Sequence, residues 1–315
     1  MDYIGQTEII EEFMNGIRHD SLSHAFVLTG EKGIGKRTLA RFIAKALLCT
    51  EKGDAQIPCG HCRACRSFDK NVNPDFMTIR GETKNIVIKQ IRDIIDDIGI
   101  RPLKGCKVYV IEDAEKMTIQ AQNCLLKTLE EPPDYAKIIL TTSNYESLLL
   151  TIRSRTVRKH LKPSTIKELK LIAQKNGIDA TGKEDLLAIS RGIPGIALRL
   201  LNDKDFEKHR EETLKFVFDE SIDSKLYFNQ YLSNNKNAFD VCLNILESVY
   251  RDALLVKCSV EDGLINSDKK DNILKYANMH STIEITDSIS GIEKVRDDMK
   301  RNMNYQLAVD YITML

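Results

Sequence analysis

Apolar runs alternate with helical stretches through the first half of the chain, and from about Pro163 helical periodicity stands alone. His24, Ala25, Phe26, Val27, Leu28 and Thr29 form a short run that leads straight into Gly30, and this predicts a buried strand. Past the glycines, Leu39, Ala40, Ile43, Ala46 and Leu47 recur at helical spacing. Further apolar runs lie at Phe76–Ile79, 108–111 and 138–142, separated by amphipathic stretches around Ile88–Ile98 and 119–129. Strands alternating with helices predict an α/β domain, with a parallel sheet covered on both faces. Ligands of such a sheet sit beyond the carboxyl ends of its strands.

Thr165 with Glu168 predicts a capping box at the start of the next helix. Gly192, Ile193, Pro194 and Gly195 predict a break between two short helices. The charged stretch 202–210 fits either an inter-domain linker or a solvated helix face, and 211–315 predicts a helical bundle. Three domains are expected, at 1–162, 163–205 and 206–315.

With 315 residues there is length for two or three packed domains. Lys+Arg and Asp+Glu both number 46, so no global basic signature for non-specific nucleic-acid binding exists, although a local basic face is compatible with this balance. No apolar run approaches the roughly 18 residues of a membrane span. The first residues, Met1 to Gly5, lack the basic and apolar regions of a signal peptide. A cytoplasmic protein with no membrane partner is expected. Disulfides are then not expected among the eight cysteines. Cys106, Cys124, Cys242 and Cys258 stand among apolar neighbours and are expected to be buried thiols.

Gly30, Gly35 and Lys36 fit the phosphate-binding pattern G-x-x-x-x-G-K, with Gly33 inside the loop, in the strand–loop–helix setting that makes the match credible. The next residue should be Ser or Thr, whose hydroxyl holds magnesium in phosphoryl transfer. It is Arg37, a cation with no acceptor lone pair. Thr38 has a hydroxyl, but one residue along a helix turns it about 100° away. Glu112 and Asp113 follow the run at 108–111. Two readings remain for the loop. It holds nucleotide such as ATP without cleaving it, or it is empty, with Lys36 and Arg37 solvated or paired to Glu112 or Asp113.

Cys59, Cys62 and Cys65 are spaced C-x-x-C-x-x-C, and Cys49 stands ten residues earlier. Four thiolates gathered by a tight turn suit tetrahedral zinc, and with every position filled by protein the metal would be structural. His61 is an alternative to one thiolate, and an iron–sulfur cluster is an alternative to zinc. The cluster, at about 49–65, falls between the first loop-following helix and the second strand.

The stretch Asn123-Cys124-Leu125-Leu126-Lys127-Thr128-Leu129-Glu130-Glu131-Pro132-Pro133 closely resembles one shared by bacterial clamp-loader subunits. Arg153-Ser154-Arg155-Thr156 resembles their Ser-Arg-Cys motif, with Thr156 in place of Cys. Ile4-Gly5-Gln6, the four-cysteine insertion, Tyr250-Arg251-Asp252, and Asn302 with Asn304 and Leu307 extend the resemblance over nearly the whole chain. It implies an AAA+ P-loop domain, a helical lid and a helical collar. The altered loop, the order Glu112-Asp113 where the gamma/tau motor carries Asp-Glu, and Gly195 where the motor's sensor arginine aligns resemble the delta-prime type. Arg199 lies four residues further on.

That resemblance implies a stator that joins gamma/tau and delta subunits to place the sliding clamp on primed DNA. It also implies that Arg155 acts as an arginine finger in trans, with Arg153 and Arg158 as neighbouring candidates. The alternative is an active gamma/tau-like ATPase using Thr38 as metal ligand and Asp113 as base. Leu125, Leu126 and Leu129 form an apolar stripe expected in the core, with Lys127 off it. Lys84, Lys89, Arg92 and Arg101 are expected on a solvated helix face, with DNA inside a ring as the alternative.

Overall fold

The computed structural model describes residues 3–51, 57–81, 85–102, 105–260 and 263–315. Lys84 lies outside them. The chain divides into two compact units, one of residues 1–172 with 193–195, the other of 173–192 with 196–315. The segment 163–205 is thus shared between them.

In the first unit, α1 (Thr7–Arg18) precedes β1 (Ala25–Thr29) and α2 (Lys36–Leu48), then α3 (Arg63–Asp69), β2 (Phe76–Ile79) and α4 (Ile88–Ile98). After these come β3 (Lys107–Ile111), α5 (Ile119–Glu130), β4 (Ala136–Thr142), α6 (Leu150–Arg153) and β5 (Val157–His160). The five strands are parallel, in the order β2-β3-β4-β1-β5. All five residues of β1 and of β3 are buried, as strands covered on both faces must be. Ile91, Ile94 and Ile98 of α4 and Leu125 and Leu129 of α5 bury one helical stripe against Val27, Tyr109, Ile138 and Leu140 of the sheet. Leu126 packs on this core half-buried, while Lys127 is exposed. Phe13 meets Phe26 at a ring separation of 4.6 Å.

The alternation of apolar runs did not reveal β5. Val157, Arg158 and His160 are exposed at the sheet's edge, so the strand has no apolar face to betray it. The capping box formed as predicted. Thr165 N–H donates to Glu168 Oε2 at 2.7 Å and Glu168 N–H to Thr165 Oγ1 at 3.3 Å, opening α7 (Ile166–Lys175).

The remainder is helical: α8 (Glu184–Ile189), α9 (Pro194–Asn202), α10 (Phe206–Phe218), α11 (Ile222–Asn234), α12 (Phe239–Lys257), α13 (Lys270–Met279), α14 (Thr282–Lys300) and α15 (Tyr305–Met314). The break between α8 and α9 is real but shorter than expected. Pro194 and Gly195 already belong to α9, a place where proline costs no hydrogen bond. Within 202–210 only a turn separates α9 from α10, so most of that stretch is helix.

In the second unit α12 is buried nearly all round, and Phe216 and Phe228 stack at 4.5 Å beside it. Asp252, fully buried, accepts the N–H groups of Ile265 at 3.0 Å and Asn266 at 2.7 Å and takes Arg251 Nη1 at 2.9 Å. That gives Tyr250-Arg251-Asp252 a structural task, pinning the loop after α12. Asn302 has a left-handed backbone and Asn304 caps α15. Cys106 and Cys242 are buried as expected, but Cys124 is half-buried and Cys258 exposed. The correction for Cys258 has a simple cause, since it caps the end of α12, where the helix runs out into solvent.

Candidate functional site

The phosphate loop forms where β1 ends. Gly33 and Gly35 take φ of 92° and 104°, a region costly to any residue with a Cβ, and Gly35 begins α2. Lys36 is buried and its Nζ turns back into the loop, donating to the carbonyls of Gly30 at 2.7 Å and Glu31 at 2.8 Å. Burial draws its pKa down, against the attraction of Glu115 and Asp113.

β3 carries Glu112 and Asp113 to the same edge of the sheet. One strand, β4, lies between β1 and β3, so their ends stand about 10 Å apart by strand spacing. The long side chain of Arg37 spans that gap. Its Nε is 3.1 Å from Glu112 Oε2 and its Nη2 2.5 Å from Asp113 Oδ2. Lys116 adds a second cation 3.0 Å from Asp113 Oδ2. Burial raises the Asp113 pKa, but the bonds and charges of Lys116 and Arg37 outweigh it and hold the carboxyl below its usual range. Of the two readings the sequence left for Lys36 and Arg37, pairing is observed for Arg37, with both carboxylates. Thr38 is exposed on α2.

The segment 193–195 closes on the tip of the loop, within the first unit. Gly195 N–H donates to Gly33 O at 2.9 Å, and a Cβ on Gly195 would stand 2.9 Å from Gly33 Cα. An arginine has no room at this position. Arg199 pairs with Asp240 at 3.6 Å in the second unit. The sequence reading did not single out Tyr3, whose hydroxyl would lie 2.9 Å from a Cβ on Gly35 and whose pKa burial lifts to about 12. Nor did it single out Glu115, which accepts the N–H and hydroxyl of Ser143 at 3.2 and 2.6 Å.

Three arginines flank the end of α6. Arg153 pairs with Glu146 and lies 5.5 Å from the ring centroid of Tyr145. Arg158 lies 4.2 Å from the same centroid and donates to Thr29 Oγ1 at 3.4 Å. Arg155 is held differently, by Glu130 Oε1 at 2.7 Å and by Thr151 O at 3.0 Å, with its side chain 34% exposed. The aromatic plate of Tyr145 carried no motif and was not legible beforehand.

The sulfurs of Cys49, Cys59, Cys62 and Cys65 all lie within 4.8 Å of one another. Backbone N–H groups point at them: Cys59 N–H to Cys49 Sγ at 3.5 Å, Cys62 N–H to Cys59 Sγ at 3.4 Å and Cys65 N–H to Cys62 Sγ at 3.4 Å. Such bonds favour thiolate over thiol. Four metal-binding sulfurs at this spread, in a turn that presents donors to negative sulfur, fit a bound metal ion. His61 is exposed and turns to the Cys59 carbonyl at 3.0 Å, away from the cluster. The module is fastened to α2 by Lys45, buried and 2.7 Å from Asp69, and by Arg41, whose guanidinium lies 5.2 Å from the ring centroid of Phe68.

Lys89, Arg92 and Arg101 are exposed, as expected for a solvated face. Among the described residues no helix is long and apolar enough to cross a membrane.

The family described as DNA polymerase III, delta subunit, matches residues 5–165, and the family described as its C-terminal part matches 204–312. The DNA polymerase III subunit delta' of Bacillus subtilis (strain 168) is 28% identical over 98% of this chain and 95% of its own length. The DNA polymerase III subunit gamma of Buchnera aphidicola subsp. Schizaphis graminum is 39% identical over 55% of this chain. The chain spans about half the length of that gamma relative, 49%, and 23% of the tau/gamma subunit of Haemophilus influenzae, so those matches cover only part of each protein. Among solved structures, a DNA polymerase III gamma subunit-related protein of Thermotoga maritima covers 98% of both chains at 20% identity, with a TM-score of 0.48. The chain belongs to the DNA polymerase III delta-subunit family, as a member of the delta-prime type.

Proposed function

We propose that this chain is the delta-prime-type stator of a DNA polymerase III clamp loader. It joins gamma/tau and delta subunits in a ring that places the sliding clamp on primed DNA, and it donates Arg155 to ATP held by the neighbouring motor subunit. The AAA+ domain at 1–162, a lid at 163–205 and a collar at 206–315 are the division this role uses. One observation carries the donor half. Of the three arginines, Arg153 and Arg158 are both stacked on Tyr145, whereas Arg155 lies off that ring, tethered by one partly exposed ion pair, the Thr151 carbonyl and the Ser154 hydroxyl. Its planar, permanently charged fork suits a transferring phosphate. Fingers of this kind contribute a thousandfold or more, roughly, to the rate.

In this reading the four-cysteine cluster holds structural zinc. With all four tetrahedral positions taken by thiolate, the metal fixes the insertion and has no open position to activate water.

The test assembles the chain with its motor and clamp-opening partners and measures ATPase stimulated by clamp and primed DNA. Arg155→Ala is expected to remove most turnover while the complex still assembles. Unchanged turnover would make Arg155 structural. A second reading, an active gamma/tau-like ATPase, draws on the 39% identity to a gamma subunit. It requires Thr38 to serve the metal and Asp113 to act as base, and it predicts hydrolysis by the isolated chain that Lys36→Ala abolishes.

A further inference from the structure

The magnesium of a working phosphate loop does not fit the residues present here, and the reason goes beyond a missing hydroxyl. We infer that Arg37 is the resident cation of this site: it occupies the place between the α2 N-terminus and the β3 carboxylates, so the site refuses divalent metal. This rests on the stator reading above and deepens it, turning an impaired site into a neutralised one.

The charges support it directly. Glu112 and Asp113 supply two negative charges, and Arg37 and Lys116, all within 2.5–3.1 Å, supply two positive ones. The sum is zero before any metal arrives. A divalent ion bound to either carboxylate at the roughly 2.1 Å that magnesium demands would stand against the guanidinium. To enter, it must displace Arg37, and Arg37 then loses both Glu112 and Asp113.

The position of Arg37 argues the same way. It sits in the first turn of α2, which carries no acidic residue. Backbone N–H groups there make a positive charge unfavourable, so the arginine is held by the carboxylates across the sheet and against the helix dipole. Lys36 is likewise turned inward, onto Gly30 and Glu31. Arg37 meets internal carboxylates where an external anion would otherwise sit, and Lys36 meets backbone carbonyls.

Two causes of inactivity can now be separated. If the site merely lacks a ligand, restoring a hydroxyl is the one change that brings metal back. If Arg37 excludes metal by occupancy, removing it frees both carboxylates, and metal enters even without a hydroxyl. The experiment follows Mn2+ by electron paramagnetic resonance in the presence of ATP, using the isolated full chain as wild type, Arg37→Thr and Arg37→Ala. The thiolate cluster stays loaded with zinc, since soft sulfur disfavours manganese.

Wild type is expected to hold no Mn2+ beyond that bound by ATP in solution. Both variants should gain a protein-bound Mn2+ signal, with an apparent affinity at least tenfold above wild type, and Arg37→Thr should bind the more tightly. Wild type binding Mn2+ as tightly as Arg37→Thr overturns the inference, and so does a gain confined to Arg37→Thr or a gain in neither variant. Circular dichroism and thermal melting of each variant separate loss of fold from loss of binding, and Arg37→Lys, which keeps the charge, should stay metal-free. None of these readouts involves Arg155 or the motor subunit. Failure here is therefore read apart from failure of the stator proposal.

Discussion

The phosphate loop and the cysteine turn are both built to gather charge, but they balance it in opposite ways. At the loop, the positive groups and the two carboxylates of β3 neutralise one another within the chain. At the turn, four sulfurs converge with backbone N–H groups behind them. One site brings its own cation; the other gathers four sulfurs of the kind that ligate one. The contrast shows that a motif's remaining shape says little about its ligand until the charges around it have been added.

Removing metal should separate the two regions most sharply. Zinc sites in small modules contribute about 10–16 kcal/mol of apparent binding free energy, so stripping the chain with a chelator is expected to abolish order in the turn and in α3. Hydrogen exchange at the amides of Cys59, Cys62 and Cys65 should lose protection, while the amides of the phosphate loop keep theirs. Metal analysis sets the baseline: less than about half an equivalent of zinc per chain, with no other metal, would remove the contrast, because four thiolates fill the tetrahedral shell of one ion.

Breaking the loop's internal balance is the next largest effect. Glu112 and Asp113 are only 12% and 19% exposed, and Arg37→Ala leaves them without their bridging cation. Unsatisfied, partly buried charge costs about 1–3 kcal/mol. Denaturant unfolding should register that loss, and a variant as stable as wild type would mean that the bridge is merely a surface pair. The same substitution at Arg41, which is stacked on Phe68 beside the cysteine turn, should leave the loop unaffected.

How much of this could be read in advance follows the same physics. Apolar periodicity located α2, α4, α5 and four of the strands, because each has a stripe or run that must be buried. It missed β5, whose Arg158 and His160 face solvent. Spacing alone brought the four cysteines together, since ligands close in sequence need no tertiary folding to meet. The loop was harder. Arg37 marked it as altered, but whether that arginine met solvent or carboxylate depended on the sheet order, which sets β3 two places from β1. Gly195 against Gly33 is a long-range contact, and Tyr145 beneath two arginines is a meeting of loop and sheet edge, and no local pattern encodes either.

The acid side offers a smaller test. The Asp113 pKa is depressed in the folded chain, so its contribution is fully present above the unfolded carboxylate value of about 3.9 and is lost as pH falls through the depressed folded value. Stability of wild type should therefore decline only below about pH 4 on account of this group. Arg37→Ala removes one of the charges that hold the pKa down, so the window between the unfolded and folded values narrows and its acid loss should be smaller. Thermal melts between pH 2.5 and 5.5 check this. Coincident acid profiles for the two proteins would mean that Lys116 alone sets the Asp113 pKa.

The smallest expected effect decides the most about Arg155. Its partner Glu130 is 47% exposed, and pairs of that kind contribute about 0–1 kcal/mol, so Glu130→Gln should scarcely move the melting curve. The informative readout is ATPase of the assembled complex. A finger that reaches a neighbouring nucleotide must leave Glu130 to do so, because one guanidinium cannot keep a bidentate hold on phosphate and the same carboxylate at 2.7 Å. Glu130→Gln should then preserve turnover or raise it slightly, while Arg155→Ala removes it. If instead both substitutions lower turnover together, and the double variant is no worse than either, Arg155 works through Glu130 and serves only to hold the end of α5 to α6. The sign of the Glu130 effect therefore distinguishes an arginine parked for use elsewhere from one that has already reached its partner.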